Sequence, residues 1–238
     1  MEQVNSLIPS KEENKFDWKS ADAYLFDIDG TLLVSRDHVH YNALNRAMQE
    51  AYGVETTIAG IAYHGKTDLG ILRAALERVG VSAAAFEANL PKALEAVRRD
   101  VANNADAIKP QICAGIPEIL AALKATGKLL GLASGNLEDV GWRKVRAAGL
   151  ANHFSFGSFS DRFEFRADVF REGLAEARRR LGKNAEVCFV GDTPEDIKAA
   201  RIAGARVIAV CTGIFKADEL TGLKPDLCVA CCSELLSR

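Results

Sequence analysis

Three short polar segments, each placed directly after an apolar run, contain residue types suited to chemistry on phosphate or at a metal ion. They are residues 27–31 (DIDGT), 134–136 (SGN) and 191–196 (GDTPED). Clustered carboxylates repel one another, so a group of them needs a positive charge between its members. A hard divalent cation with oxygen ligands supplies that charge, and Mg²⁺ is the usual choice beside phosphate. The three segments therefore indicate metal-assisted chemistry, provided that the fold brings them together.

The first segment holds two carboxyls that suit complementary steps. Asp27 and Asp29 are two residues apart, so their side chains would point to the same side of a strand. A carboxylate is a weak nucleophile, but a metal and a water-poor site make it useful against phosphorus. A second carboxyl with a raised pKa can protonate the leaving oxygen and then activate water. Ser134 and the amides that follow it are suitable donors to phosphate oxygens. Arg166, just before a helical pattern, supplies a cation for the phosphate.

The apolar runs predict the elements that position these segments. Each run is apolar at consecutive positions, which is typical of strands covered on both faces. Runs of this kind occupy residues 23–29, 128–134, 186–192 and 206–211, with shorter candidates at 154–159 and 226–230. Helical patterns separate them at residues 116–125, 137–148, 168–181 and 194–203. Alternating strands and helices predict an α/β fold with a Rossmann-like parallel sheet. Ligands bind at the carboxyl ends of the strands in such a sheet, so the polar segments are expected to share one cleft.

The segment after the first strand differs from the rest of the chain. Residues 35–110 contain no convincing strand, and their apolar residues follow helical spacing, as at Leu69, Leu72, Leu76 and Val79. This length exceeds one crossover helix, so we expect an inserted all-helical cap domain at 35–110. The α/β core would then comprise residues 21–34 and 111–238, and residues 1–20 would form a loose polar N-terminal extension.

Composition excludes several other classes of protein. The 238 residues include 30 Lys+Arg and 32 Asp+Glu, a formal charge of −2, which argues against a nucleic-acid binder held by phosphate contacts. No stretch reaches the roughly 18 apolar residues of a membrane helix, and no signal peptide is visible. We therefore expect a cytoplasmic protein, a monomer or homodimer, with no membrane or nucleic-acid partner.

The six cysteines are expected to be reduced thiols in that compartment, with Cys188 and Cys211 in the core. Residues 228–232 (CVACC) lack a second cysteine pair with the spacing of metal ligands, so a metal site is not expected there.

At these residues the sequence resembles the haloacid dehalogenase-like (HAD) superfamily, most closely its phosphoglycolate phosphatase-like branch. The matching pieces are residues 27–33 (DIDGTLL), Ser134 after its apolar run, Arg166, and residues 191–196 with their two aspartates. The first and last pieces are highly specific, and the two between them are not. The resemblance implies a Rossmann-like core with a helical cap of the C1 type inserted after the first strand.

The resemblance also implies a role for each matched residue. Asp27 would be the nucleophile that forms a phosphoaspartyl intermediate, and Asp29 would be the general acid and base. Mg²⁺ would be held by Asp27, by the backbone carbonyl of Asp29 and by Asp192, with Asp196 in support. The expected activity is Mg²⁺-dependent hydrolysis of a small phosphorylated metabolite, such as phosphoglycolate or a sugar phosphate. The donors expected to bind phosphate are Thr31, Ser134, Gly135, Asn136 and Arg166.

Two departures from the family pattern affect these expectations. Arg166 stands where relatives often have Lys, which keeps the charge but changes its geometry. Residues 34–35 (VS) replace the Asp-Ser that often follows the first motif in this branch, so the assignment to phosphoglycolate itself is looser.

Residues 64–68 (HGKTD) resemble a cap element that faces the active site in relatives, and Lys66 would then meet a second anionic group. The alternative is a solvated turn before a helix starting near Asp68. Lower-ranked candidates in the hinge are Arg36, His38 and His40.

Other functions use the same residues differently. A phosphomutase of the β-phosphoglucomutase type would employ Asp27 and Asp29 but exclude water from the phosphoenzyme. A phosphonate hydrolase would need Lys66 to form an imine. A dehalogenase would leave Asp29, Asp192 and Asp196 without a role. A non-catalytic binding protein would be expected to lack at least one motif residue, and none is lost.

Overall fold

The computed structural model describes residues 16–238, and at its centre lies a six-stranded sheet. The strands are β1 (Ala23–Phe26), β2 (Leu33–Ser35), β3 (Pro110–Ile112), β4 (Leu129–Ala133), β5 (Phe156–Ser158), β6 (Val187–Gly191), β7 (Arg206–Val210) and β8 (Leu227–Val229). Six of them form the sheet in the order β5-β4-β1-β6-β7-β8, and all neighbouring pairs are parallel. The predicted α/β fold with a parallel sheet is confirmed.

Helices cover the sheet and form the insertion. They are α1 (Val39–Tyr52), α2 (Asp68–Glu77), α3 (Ala83–Asn103), α4 (Ile116–Ala125), α5 (Glu138–Ala147), α6 (Arg166–Leu181), α7 (Pro194–Ala203) and α8 (Ala217–Thr221). The helices predicted at 116–125 and 194–203 have the predicted bounds. Helix α6 begins two residues earlier than predicted, so Arg166 is its first residue rather than a residue preceding it.

Strand β1 explains why the strand sequences are apolar at every position. Tyr24 and Phe26 pack into the hydrophobic cluster on one face of the sheet, whereas Ala23 and Leu25 pack into the cluster on the other face. Since side chains alternate between faces and both faces are covered, neither set can be polar. Burying each large side chain contributes about 1.5–3 kcal/mol, which fixes the strand that carries Asp27 at its end.

Strands β2 and β3 join the helical insertion to the sheet. They pair antiparallel, with Leu33 opposite Ile112 and Ser35 opposite Pro110. The sequence analysis did not predict this ribbon, because three-residue strands leave no periodic pattern. The predicted division at 34/35 and 110/111 falls within the ribbon, and the domain boundaries stay a prediction.

Helices α1, α2 and α3 bury a cluster of their own, to which α5 and the residue before it contribute Val140 and Leu137. The predicted apolar stripe on α2 holds as far as Leu76, which is fully buried. Val79 lies beyond the end of α2 and is 43% exposed, so its predicted place on that stripe is wrong.

The N-terminal segment and one cysteine also differ from expectation. Residues 1–15 of the predicted extension lie outside the described residues. Trp18 is buried in the core against the sheet, and its carbonyl accepts a hydrogen bond from the Tyr24 hydroxyl, so residues 16–20 are not a loose extension. All six cysteines are free thiols, and Cys188 is buried as predicted, but Cys211 is only half-buried. Between residues 16 and 238, no helix has the length and apolar character needed to span a membrane.

Candidate active site

The three polar segments meet at one edge of the sheet. Strands β4, β1 and β6 are neighbours, and the residues immediately beyond their carboxyl ends are Ser134, Asp27 and Asp192. All three side chains are buried. Carboxylate oxygens of Asp27, Asp192 and Asp196 lie within 4.8 Å of one another. The expected convergence of the polar segments on one site is therefore observed.

Arg166 lies among these carboxylates, because α6 starts beside the cluster. Its Nη2 is 2.9 Å from Asp27 Oδ1 and 2.6 Å from Asp196 Oδ1. Its Nε donates to Asp196 Oδ1 at 2.7 Å, and its Nη1 donates to the Gly65 carbonyl at 3.2 Å. The other oxygen of Asp196 accepts hydrogen bonds from the amide and hydroxyl of Thr193, which caps α7. Asp196 thus holds Arg166 and the start of α7 in place, with both oxygens already engaged.

Asp192 is held closely by small residues on either side. Thr31 is fully buried, and its hydroxyl donates to Asp192 Oδ1 at 2.9 Å. Thr31 therefore contacts a carboxylate, rather than lying with the residues that line the cavity described below. A Cβ at Gly30 would lie 2.3 Å, and one at Gly213 1.8 Å, from Asp192 Oδ2. Thr212 adds a hydrogen bond to the Gly30 carbonyl, so the loop after β7 closes over the carboxylate.

The cluster lacks sufficient positive charge. Three carboxylates face one guanidinium, which leaves a net charge of 1 − 3 = −2 when all are ionised. Burial raises the pKa of Asp27 to about 6, although Arg166 opposes the shift. Burial, with the charges of Asp196 and Asp27, raises the pKa of Asp192 to about 8. Burial would lower the pKa of Arg166, but Asp196 and Asp27 raise it above its ordinary value, so the guanidinium remains charged. An added cation would relieve the excess negative charge.

Asp29 lies apart from the acidic cluster, in a different set of contacts. Its Oδ2 accepts from Asn136 Nδ2 at 2.8 Å and from Lys144 Nζ at 2.7 Å. Asn136 Nδ2 also donates to Ser134 Oγ at 2.8 Å. Partial loss of hydration at the cavity wall opposes the ionisation of Asp29, but Lys144 and Asn136 outweigh this effect and hold the pKa of Asp29 below its ordinary value. The pKa values of two aspartates two positions apart thus move in opposite directions.

A cavity of about 410 Å³ opens above these groups. Asp27, Ser134 and Arg166 line it from the core, and Tyr63 and Lys66 line it from the insertion. Lys66 is exposed at the cavity wall. A Cβ at Gly135 would lie 2.2 Å from the Lys66 carbonyl, so the two loops meet backbone to backbone.

The residues after Lys66 fix the start of α2. The Thr67 hydroxyl caps the helix by accepting from the Gly70 amide at 3.0 Å. This cap agrees with the predicted helix start. It leaves a substrate contact by Lys66 as a prediction.

Sequence reasoning missed Lys144 and ranked His40 low. Lys144 lies on the buried side of α5 with Val140, Gly141 and Val145. A lysine in that apolar stripe was the available signal, because a charge on a core-facing position needs a partner. His40, in α1, contacts Lys144. Asp68, which the sequence analysis placed only near the start of a helix, contacts His40.

The fold and the site together define a class of protein. It is an α/β protein with a helical insertion, and beneath that insertion the carboxyl edge of the sheet holds an acidic site whose excess negative charge needs a cation. The haloacid dehalogenase-like hydrolase family matches residues 21–204, which is most of the chain. The chain belongs to this family. The predicted superfamily and the prediction of a hydrolase are confirmed.

Individual proteins support the same assignment. The chain is 27% identical over 223 residues to a protein of Dickeya dadantii named probable phosphatase IndB, covering 89% of this chain and 90% of that protein. It is 27% identical over 194 residues to a phosphoglycolate phosphatase of Mesorhizobium japonicum, covering 79% and 82%. The fold matches a β-phosphoglucomutase of Clostridium difficile with a TM-score of 0.67 at 19% identity, covering 90% and 93%. The relative named phosphoglycolate phosphatase supports the predicted branch.

Proposed function

We propose that the protein is an Mg²⁺-dependent phosphatase that hydrolyses a small phosphate monoester through a phosphoaspartyl intermediate on Asp27. One observation carries the proposal: Asp27 lies in a buried acidic cluster with Asp192 and Asp196, while Asp29, two residues away, is held separately at the same cavity. This arrangement would supply a nucleophile and a separate proton carrier at one cavity.

The residues present fit a magnesium ion. The cluster offers only oxygen donors, carries excess negative charge and is shielded from solvent, all of which suit a hard divalent cation. Asp27 and Asp192 would hold the ion, with the backbone carbonyl of Asp29. Asp196 would support the site by fixing Arg166, because both of its oxygens are engaged. When bound, the ion neutralises charge on the phosphate oxygens and on Asp27.

The chain's own residues account for the remaining steps. Asp27 attacks phosphorus while Asp29, protonated at that point, gives its proton to the leaving oxygen. Asp29 then takes a proton from water, which attacks the phosphoaspartate and releases phosphate. Arg166, which contacts Asp27, and Ser134, which lines the same cavity, are proposed to donate to the transferring phosphoryl oxygens. The amides of Gly135 and Asn136 are proposed to assist them, and the insertion limits access of bulk water.

The leaving group is proposed to be small. It would occupy the cavity beneath the insertion, and Lys66 would meet an anionic substituent such as the carboxylate of phosphoglycolate. The relatives of 27% identity carry phosphatase names. They favour hydrolysis over the phosphomutase reaction, whose named neighbour shares the fold alone.

The test is phosphate release from p-nitrophenyl phosphate and a panel of small phosphate monoesters, with Mg²⁺ and with EDTA. We expect turnover that EDTA abolishes and that Asp27→Asn lowers by several orders of magnitude. Asp106→Asn, which changes an exposed aspartate of the insertion, should leave turnover unchanged. Acid-quenched protein should carry the phosphoryl group on the peptide containing Asp27.

Two outcomes would overturn parts of the proposal. Normal turnover in Asp27→Asn would remove Asp27 as the nucleophile. A strict requirement for a bisphosphate, with isomerisation of a monophosphate and no net phosphate release, would assign the phosphomutase reaction instead.

A further inference from the structure

Lys144 is a buried lysine that the steps above do not use. It lies in α5, and its side chain is 7% exposed. Its ammonium donates to Asp29 Oδ2 at 2.7 Å and to Asn136 Oδ1 at 2.8 Å, and it lies 3.1 Å from His40 Nδ1. An ammonium has three N–H donors, so these three acceptors satisfy it completely.

Lys144 and Asn136 fix one oxygen of Asp29. Asn136 accepts from Lys144 through Oδ1 and donates to Asp29 Oδ2 through Nδ2, so the three side chains form a closed triangle. Within residues 16–238, every hydrogen bond to the Asp29 carboxylate uses Oδ2. Asp29 lines the cavity, where its side chain is 43% exposed. Its Oδ1 is therefore left to the substrate, in an orientation that the triangle determines.

The same lysine connects Asp29 to the helical insertion. Because an ammonium can only donate, His40 Nδ1 must accept, and the ring proton is then on Nε2. His40 Nε2 lies 3.0 Å from Asp68 Oδ2, which also accepts from the Leu137 amide at 2.8 Å. His40 belongs to α1 and Asp68 begins α2, whereas Leu137 precedes α5 of the core.

We propose that Lys144 is a positioning residue that orients Asp29 for proton transfer. Because Lys144 also contacts His40, that orientation depends on α1 and α2 being packed against the core. The inference rests on the proposed function, in which Asp29 carries the proton. Stability alone does not favour a lysine at this position, because its buried ammonium loses its hydration before the acceptors around it compensate. Lys144→Met keeps the length and apolar stem of the side chain and is expected to fold.

The test uses leaving groups that differ in their need for a proton. An alkyl phosphate needs protonation of its leaving oxygen, whereas p-nitrophenol leaves readily as an anion. We expect Lys144→Met to lower kcat/KM about 10²-fold for an alkyl phosphate, the size typical of a misplaced catalytic group, and less than about tenfold for p-nitrophenyl phosphate. Arg143→Met removes a neighbouring charge from α5 that pairs only with Asp139 among the described residues, and it should change neither value.

A double variant separates positioning from a general structural defect. If Lys144 acts through Asp29, then Asp29→Asn with Lys144→Met should be no slower than Asp29→Asn alone. Equal losses on both substrates, together with multiplied effects in the double variant, would overturn the proposal. If Asp29→Asn itself fails to distinguish the two substrates, the proposed role of Asp29 is wrong instead.

A second variant keeps the inference testable if Lys144→Met does not fold. His40→Gln removes the imidazole link to Asp68 while leaving the Lys144–Asp29 pair intact. We expect a loss of roughly tenfold or less, again larger for the alkyl phosphate. A loss of the same size on both substrates would contradict the proposal that the orientation of Asp29 depends on the insertion being packed against the core.

Discussion

Asp27 and Asp29 occupy opposite electrostatic environments although a single residue separates them. In the metal-free protein, burial raises the pKa of Asp27 to about 6, and the Lys144 network, that is Lys144 with Asn136 and His40, lowers that of Asp29. A nucleophile must be ionised and an acid must be protonated, so both pKa changes oppose the proposed roles. A cation beside Asp27 and a phosphate dianion beside Asp29 would each reverse the corresponding change. In the proposed mechanism, metal and substrate together would therefore assemble the working arrangement.

Replacing Asp29 by Asn tests its assigned step. Asp29→Asn should slow turnover by roughly 10²–10⁴, the usual contribution of acid–base catalysis. Mg²⁺ affinity, measured by titration calorimetry, should stay close to that of the wild type, because the Asp29 backbone carbonyl remains and its side chain lies outside the acidic cluster. A variant with normal turnover, or one that no longer binds Mg²⁺, would contradict the assignment.

Gly213 offers a test of Asp192 that does not alter a charge. A Cβ there would lie 1.8 Å from Asp192 Oδ2, so Gly213→Ala must displace the carboxylate from its position. We expect at least about a tenfold loss of Mg²⁺ affinity, equivalent to about 1.4 kcal/mol. Gly222→Ala is the matched control, since its Cβ would meet no atom closer than 3.3 Å. Equal Mg²⁺ affinities in the two variants would show that Asp192 does not hold the metal.

Among individual residues, the sequence predicts those that local motifs identify. It does not predict those that reach the site only through contacts in the tertiary structure. Asp27, Ser134 and Asp192 are recognisable because each directly follows an apolar run. Lys144 reaches the site from the second turn of a helix, and Gly213 matters only because a carboxylate 21 positions earlier lies against it. The apolar positions around Lys144 indicate that its charge needs a partner, but no pattern of nearby residues identifies Asp29 as that partner or Asp192 as the neighbour of Gly213.

Among the elements, the sheet was predictable because burial on both faces leaves a continuous apolar run in each strand. Helix α7 was predictable because Thr193 caps it and a Pro lies in its first turn, and α4 likewise has a Pro in its first turn. The ribbon of β2 and β3 was not, since its pairing joins residues 75 or more positions apart. The early start of α6 was missed for a related reason: Arg166 is held there by aspartates from other elements.

The insertion contacts the core through an ion pair whose strength should affect substrate binding. Arg73 of α2 donates to Glu164 of the core at 2.7 Å and to Glu87 of the insertion at 2.6 Å. If substrate reacts only when the insertion is packed against the core, Glu164→Gln should raise KM roughly 1.4-fold to fivefold, because such a pair contributes about 0.2–1 kcal/mol. Glu87→Gln weakens the same arginine's contact within the insertion and should leave KM unchanged. Equal steady-state KM values in the two variants would show that the Arg73–Glu164 pair does not hold the insertion against the core.

Considered as a whole, the molecule concentrates like charges in one buried place. The formal charge of the whole chain is only −2, yet three carboxyls of the acidic cluster lie against a single guanidinium. Outside the site, several described acidic and basic side chains pair at the surface, as Glu50 does with Arg99. Surface pairs of this kind contribute little to stability. The pH dependence of the free energy of unfolding should therefore be set largely by the active site.

That dependence has a defined sign in the metal-free protein. The pKa values of Asp27 and Asp192 rise from 3.8 to about 6 and about 8 on folding. Their contribution to stability is complete below pH about 4 and is lost as pH rises through about 6 and then about 8, because the folded state holds protons that the unfolded chain has released. A tenfold change in the acid dissociation constant corresponds to about 1.4 kcal/mol, so the two groups together cost several kcal/mol at high pH.

Magnesium should reverse that loss, since it binds the ionised carboxylates and displaces their protons. Thermal unfolding with and without Mg²⁺ should therefore show a larger increase in Tm at pH about 8 than at pH about 5.5, where Asp192 is still protonated. Asp192→Asn should flatten the pH dependence of the metal-free protein and remove most of the Mg²⁺ effect, because it deletes the carboxyl whose pKa rises further on folding. An increase in Tm of equal size at both pH values, or one retained in Asp192→Asn, would mean that the ion binds elsewhere and that the buried carboxylates are compensated by another route.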